Sequence, residues 1–154
     1  MKILVCTDGS ENSNRVIEEA AKLAEAMKEV ADITLLHTYK RKYAKSSWYL
    51  SDGELAVTET EMRKHLENLE EKENKERKRV LEAAAEVFER KKIEVSTMLK
   101  EGHPAKTICE AAAEGNYDLV IIGSRGRGDG WGIMLGSVSN AVVQNCEKKV
   151  LVVK

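Results

Sequence analysis

Asp118 to Ser137 runs DLVIIGSRGRGDGWGIMLGS, an unbroken apolar stretch from Leu119 to Ile122 that opens into fifteen residues, Gly123 to Ser137, holding six glycines. A short continuous run of branched apolar residues suits a strand covered on both faces, as in a parallel sheet. Glycine loses more conformational freedom on folding than any other residue, so the loop calls either for positive φ angles or for a ligand close to the backbone. In open parallel sheets ligands gather beyond the carboxyl ends of the strands, and this loop leaves such an end.

Working outward, further runs of strand length occur at Lys2–Thr7, Ile33–His37, Ile93–Leu99 and Val150–Val153. Between the first two, Val16, Ala20, Leu23 and Met27 recur at helical spacing, with Ser10, Asn12 and Ser13 as possible N-caps. After the third, Gly102-His103-Pro104 places proline where a first helical turn tolerates it, Ile108, Ala111 and Ala112 supply an inner face, and the helix is expected to end near Gly115. Ser137–Asn145, with Val138, Ala141 and Val142 on one face, makes a last helix before the last strand. Strands alternating with helices predict a doubly wound α/β sheet.

The exception is Arg41–Lys92, far longer than an ordinary crossover. From about Glu54 to Lys91 it has helical character, with Met62, Leu66, Leu69, Val80, Ala84 and Val87 on one stripe, yet Glu70–Arg79 is wholly polar. In one straight helix such turns would leave the body or pack against nothing, so the pattern predicts a projecting helix or two helices broken near Asn74. Apolar positions are not sustained over enough heptads for a coiled coil. Arg41–Gly53, with Tyr43, Trp48 and Tyr49, is either a loop over a site or irregular packing.

The 154 residues suit one domain. With 25 Lys+Arg against 26 Asp+Glu there is no net field to attract nucleic acid or an anionic membrane. The start Met1-Lys2-Ile3-Leu4-Val5 resembles a strand rather than a signal peptide, and no run reaches membrane-spanning length, so a cytoplasmic protein is expected. Cys6, Cys109 and Cys146 are widely spaced and lack a C-x-x-C pair, which predicts three buried thiols and neither a disulfide framework nor a zinc site.

A loop of converging amide N–H groups followed by a helix N-terminus presents donors and partial positive charge to an anion, most simply a phosphate. Ser137 adds a hydroxyl as a phosphate contact or N-cap, and Arg125 and Arg127 add charge that is either ligand-directed or spent on solvent and neighbouring acids. The pattern G-x-x-x-x-G-K-[ST] fails for want of a loop lysine, and G-x-G-x-x-G fails because its last position falls on Trp131, Ile133 or Leu135. What fits is Gly123-x2-Gly126-x9-Gly136-Ser137.

That spacing, G-x2-G-x9-G-[ST], resembles the ATP-binding branch of the universal stress protein family. ILVCTDGSENS, LLHTY, GHPAKTI, DLVIIGSRGRG and the terminal VLVV are similar to family landmarks in family order, while Arg41–Lys92 is not covered. The resemblance implies a five-stranded parallel sheet of order 3-2-1-4-5 in a single nucleotide-binding domain, residues 1–154, with 41–92 as a helical insertion. It also implies a homodimer formed through the last strand. It places Gly123 near a ribose, Gly126, Gly136 and Ser137 at phosphates, and the backbone near Thr38 at an adenine. Arg125, Arg127, Val138 and Ser139 complete the expected contacts. Asp8 would meet the ribose or a phosphate-bound Mg²⁺ or Mn²⁺, and its spacing also permits a cap on the first helix.

This chain departs from the pattern in carrying Gly128, Asp129, Gly130, Trp131 and Gly132 in mid-loop. The implied function is an ATP-dependent regulatory switch acting on a protein partner. The rivals are a slow ATP hydrolase or nucleotidyl transferase and a nucleotide-free dimeric scaffold. Of His37, His65 and His103, the first is expected to be packed and the second to lie on the charged crossover, leaving His103 as the one candidate base.

Overall fold

A computed structural model of the chain describes residues 1–27, 31–41, 58–126 and 135–154. Along the chain come β1 (Lys2–Cys6), α1 (Glu11–Ala26), β2 (Asp32–Tyr39), α2 (Glu59–Glu89), β3 (Val95–Glu101), α3 (Pro104–Glu114), β4 (Leu119–Gly123), α4 (Ser137–Asn145) and β5 (Lys149–Val153). The five strands are parallel and ordered β3-β2-β1-β4-β5, the order that the family resemblance implies. None of the described helices is long and apolar enough to cross a membrane.

Alternation along the strands builds two cores. Ile3, Val5, Ile33, Leu35 and Ile121 point to the face covered by α1 and α2, while Leu4, Cys6, Leu36, Val120 and Ile122 point to the face covered by α3 and α4. Both faces of the central strands are therefore apolar, which is why they show as unbroken runs in the sequence. The third strand starts two residues later than its apolar run. Ile93 belongs to the turn that ends α2, donating its N–H to the Phe88 carbonyl (3.0 Å) after Lys92 adopts a left-handed φ of 59°.

From Glu59 to Glu89 the long crossover is one continuous helix of 31 residues, with no break near Asn74. At 1.5 Å per residue it is about 46 Å long, against about 26 Å for the eight residues of β2, so it outlasts the sheet. Its first turn is held by a capping box in which Thr58 and Glu61 exchange hydrogen bonds. Leu81, Ala84 and the fully buried Phe88 fix its last turns to the core.

The polar turns do not hang free of the body, contrary to expectation. Met62, Leu66, Leu69, Glu73, Arg77, Val80, Ala84 and Phe88 follow one another at spacings of three or four and are all buried or half-buried. Glu73 and Arg77 thus continue the inner stripe with charged side chains. The Arg77 guanidinium carbon lies 3.9 Å from the centre of the Tyr39 ring. Residues 54–57, where the sequence pattern starts this helix, and Tyr43, Trp48 and Tyr49 lie outside the described residues.

The cysteines also differ from expectation. Cys6 is buried, but Cys109 and Cys146 are only half-buried, packed on the edge of the α3/α4 core. Burial raises the Cys6 thiol above its ordinary range, and burial together with the neighbouring Cys146 pushes Cys109 up to about 11.

Candidate functional site

The strand order reverses between β1 and β4, and the chain leaves the carboxyl ends of these neighbours toward opposite faces of the sheet. That divergence opens a crevice, the usual ligand position in such sheets. Asp8-Gly9-Ser10 enters it from β1 and Ser124-Arg125-Gly126 from β4.

Asp8 is half-buried and its two oxygens face different ways. Oδ1 accepts from the Ser10 N–H (3.0 Å) and the Ser10 hydroxyl (2.6 Å). Ser10 is in turn the N-cap of α1, accepting from the Ser13 N–H (3.3 Å). Oδ2 faces Gly126, where an added Cβ would come within 2.5 Å of it. Asp8 therefore braces the helix cap with one oxygen and lies against the glycine loop with the other. Between them Gly9 takes a φ of 74°, the left-handed conformation that costs other residues about 1–2 kcal/mol.

The far end of the loop is pinned by backbone. Ser124 N–H donates to Val153 O (2.6 Å) and Gly136 N–H donates to Ser124 O (2.7 Å). The buried Ser139 hydroxyl lies 2.8 Å from Ser124 O and 3.0 Å from Gly136 O, closing the same junction. A side chain on Gly136 would meet Ser124 O at 3.3 Å and Arg125 Cα at 3.5 Å, both backbone atoms with little room to retreat. Gly136, not Ser137, is the N-cap of α4, and among the described residues no side chain caps that helix. The N–H groups of Ser137, Val138 and Ser139 thus open α4 without a side-chain acceptor among the described residues, a pole of positive potential worth about 0.3–1 kcal/mol to an anion at an exposed site.

The remaining candidates divide. Thr38 is half-buried beside this crevice, one residue beyond His37, whose Nδ1–H donates to Thr7 O (2.8 Å) and ties the ends of β1 and β2 together. Arg125 is half-buried and engaged by neighbours, whereas Ser137 is exposed. Val138 packs against the α3/α4 core, and Gly123 faces α1, where a Cβ would approach Val16 Cγ2 at 3.2 Å. Arg127 and the mid-loop residues Gly128, Asp129, Gly130, Trp131 and Gly132 lie outside the described residues. His103 is exposed at the N-terminus of α3 without capping it by its side chain, and His65 is exposed on α2. Among the described residues no three His, Cys, Asp or Glu side chains converge as a metal site, so a divalent cation here would need oxygens from a ligand besides Asp8.

Sequence patterning gave no hint of the residues that hold the end of β2. Tyr39 O accepts from Gly102 N–H (2.8 Å), and the Tyr39 ring lies under Arg77, which also pairs with Glu73 and donates to Asn74 Oδ1 (2.8 Å). Arg41 pairs with Glu101 (3.1 Å) and Glu70 (3.5 Å). The Arg41 side chain is 62% exposed, so its pairs contribute at most about 1 kcal/mol. That of Arg77 is only 11% exposed, and a desolvated cation over a ring contributes about 2 kcal/mol. The aromatic stack therefore outweighs the Arg41 ion pairs.

Comparison with known proteins agrees with this architecture. The model of the Universal stress protein family matches residues 1–154. Universal stress protein YxiE of Bacillus subtilis is 31% identical over 153 residues, covering 99% of this chain and 98% of that protein. The structure of hypothetical protein MJ0577 of Methanocaldococcus jannaschii superimposes with a TM-score of 0.74 at 26% identity, covering 99% of this chain and 94% of that one. A universal stress protein solved in complex with cAMP is similar in fold, with a TM-score of 0.66 at 21% identity, covering all of this chain and 97% of its own. The chain belongs to the universal stress protein family.

Proposed function

We propose that this chain is an adenine-nucleotide-binding universal stress protein, with ATP as its ligand and with its nucleotide state governing a surface offered to a protein partner. The observation that carries this reading is the junction at the strand-order reversal. There the Asp8 carboxylate lies against Gly126, a glycine at 136 leaves room beside the loop ends, and α4 starts with no side-chain cap among the described residues. The glycine spacing and the cAMP complex of a structural neighbour support an adenine nucleotide.

The fit is selective about cations. Asp8 would repel a triphosphate at close range, and a divalent cation held between its Oδ2 and phosphate oxygens removes that repulsion. When bound, Mg²⁺ or Mn²⁺ supplies charge neutralisation, while this chain supplies the single oxygen and the amide pole. Gly136 contributes space rather than a donor, because its N–H is already committed to Ser124 O. We assign Asp8, Thr38, Gly123, Arg125, Gly126, Arg127, Gly136, Ser137, Val138 and Ser139 to the site in a single nucleotide-binding domain, with 41–92 as its helical insertion, in a cytoplasmic protein.

We also propose a homodimer through β5. Among the described residues that strand bonds only β4 and carries Leu151 at 41% exposure, an edge that proteins usually cover.

Calorimetric titration of nucleotide-stripped protein with ATP, ADP and AMP, with and without Mg²⁺ or Mn²⁺, tests the reading. Affinity should rise with phosphate number, depend on the cation for ATP, and be lost in Gly136→Val. Absence of binding at millimolar ATP, or unchanged binding by a folded Gly136→Val protein, overturns it.

A further inference from the structure

We propose that Arg77, on the polar turns of α2, is a positioning residue for the base-side wall of the nucleotide site, and that the charged stretch Glu70–Arg79 sets how tightly the adenine half of the ligand is held. The proposal rests on the nucleotide reading given above.

The end of β2 is gripped from three directions. Backbone fixes it to β3, through Tyr39 O and Gly102 N–H. Arg41 spans to Glu101 at the end of β3 and to Glu70 on α2. Arg77 sits over the Tyr39 ring from the α1/α2 face, with its guanidinium further held by Glu73 and Asn74. Thr38, the residue whose backbone is assigned to the adenine, is the direct chain neighbour of Tyr39. Side chains alternate along a strand, so fixing the ring of Tyr39 on one face fixes the peptide planes that Thr38 presents at the edge.

A leucine or methionine at position 77 would have satisfied the apolar stripe of α2 without any need for Glu73. The charge makes sense as a directed contact with the aromatic ring in a place where water is largely excluded. The phosphate side joins β2 at a different point, through His37 Nδ1–H to Thr7 O and Thr7 N–H to Leu36 O. The Asp8–Ser10 turn and the Ser124–Gly136–Ser139 junction are held by their own hydrogen bonds.

The test is a split between the two halves of the ligand. AMP and inorganic tripolyphosphate are titrated into the full-length protein and into Arg77→Met, Arg77→Lys and Tyr39→Leu. Arg77→Met and Tyr39→Leu should weaken AMP by about tenfold, the change a loss of preorganisation at one wall produces, while tripolyphosphate affinity stays the same. Arg77→Lys, which keeps a cation over the ring, should recover part of the loss. Without nucleotide, hydrogen exchange should speed up at Thr38–Lys40 and Gly102 in Arg77→Met but not at Leu4–Cys6. Equal weakening of both ligands, unchanged AMP affinity or unchanged exchange at Thr38–Lys40 overturns the proposal. A wild-type protein that takes neither ligand while the exchange result holds overturns the nucleotide reading instead, and with it the role assigned to the wall.

Discussion

The β1/β4 side of the crevice is bounded by backbone and short hydroxyls, whereas the β2 side is held by long charged and aromatic side chains from elements far apart in the chain. On the first side Ser10 donates twice to Asp8 Oδ1, the Gly9 N–H donates to the Thr7 hydroxyl, and Ser139 closes a loop end fifteen residues behind it. On the second, Tyr39, Arg41, Arg77 and Glu101 span more than sixty positions. Short-range hydrogen bonds cost little ordering entropy and survive local motion, while a long-range stack exists only once α2 has docked. The phosphate side should therefore be intact in conditions that loosen the base side.

The largest break in this comparison should come from Phe88→Ala. Phe88 is fully buried where α2 anchors to the sheet, so truncation should cost about 3–5 kcal/mol in denaturant unfolding. It should also raise exchange at the end of β2 before the Asp8 turn responds. A loss below about 1 kcal/mol would mean that α2 docks by its polar stripe instead.

Gly9→Ala is next. Forcing a Cβ into a φ of 74° should cost about 1–2 kcal/mol and disturb the β1 turn first, leaving the Tyr39–Arg77 contact in place. If an NMR probe on Tyr39 shifts as much as one on Asp8, the two sides are not independent.

Ser139→Ala removes a buried hydroxyl that bridges Ser124 O and Gly136 O. Ser124 O keeps its bond from Gly136 N–H, so the expected cost is about 1 kcal/mol, measured as a shift in denaturation midpoint. A loss several times larger would show that the loop junction depends on that one side chain.

The smallest effect belongs to the far end of α2. The Thr58 hydroxyl, and after it the Thr58 N–H, holds the Glu61 carboxyl below its ordinary range. Its contribution is fully present above the ordinary glutamate value and is lost as pH falls through the lowered folded value. Acidification should fray residues 58–62 in amide NMR spectra with no change in global stability, and Glu61→Gln should flatten that pH response.

Several of these features are legible without coordinates. The runs Leu119–Ile122 and Ile3–Val5 mark central strands because both neighbouring layers are apolar. The sequence shows the Asp8–Ser10 turn and the Gly123, Gly126, Gly136 spacing because each is a local requirement. The edge strand β3 was harder to bound, since Ile93 is apolar for the sake of a helix-ending turn. The cysteines misled because residue type predicts average burial, while the edge of the α3/α4 core leaves Cys109 and Cys146 half in solvent.

By itself, then, the sequence determined the parallel sheet, the two helical layers and the glycine junction, all encoded by periodicity and by neighbours within a few residues. Tertiary structure alone decided that the polar turns of α2 stay on the body. Nothing within Glu70–Arg79 announces an aromatic ring supplied from Tyr39, because a charged residue at a stripe position is a break until the partner that accepts it has been brought alongside.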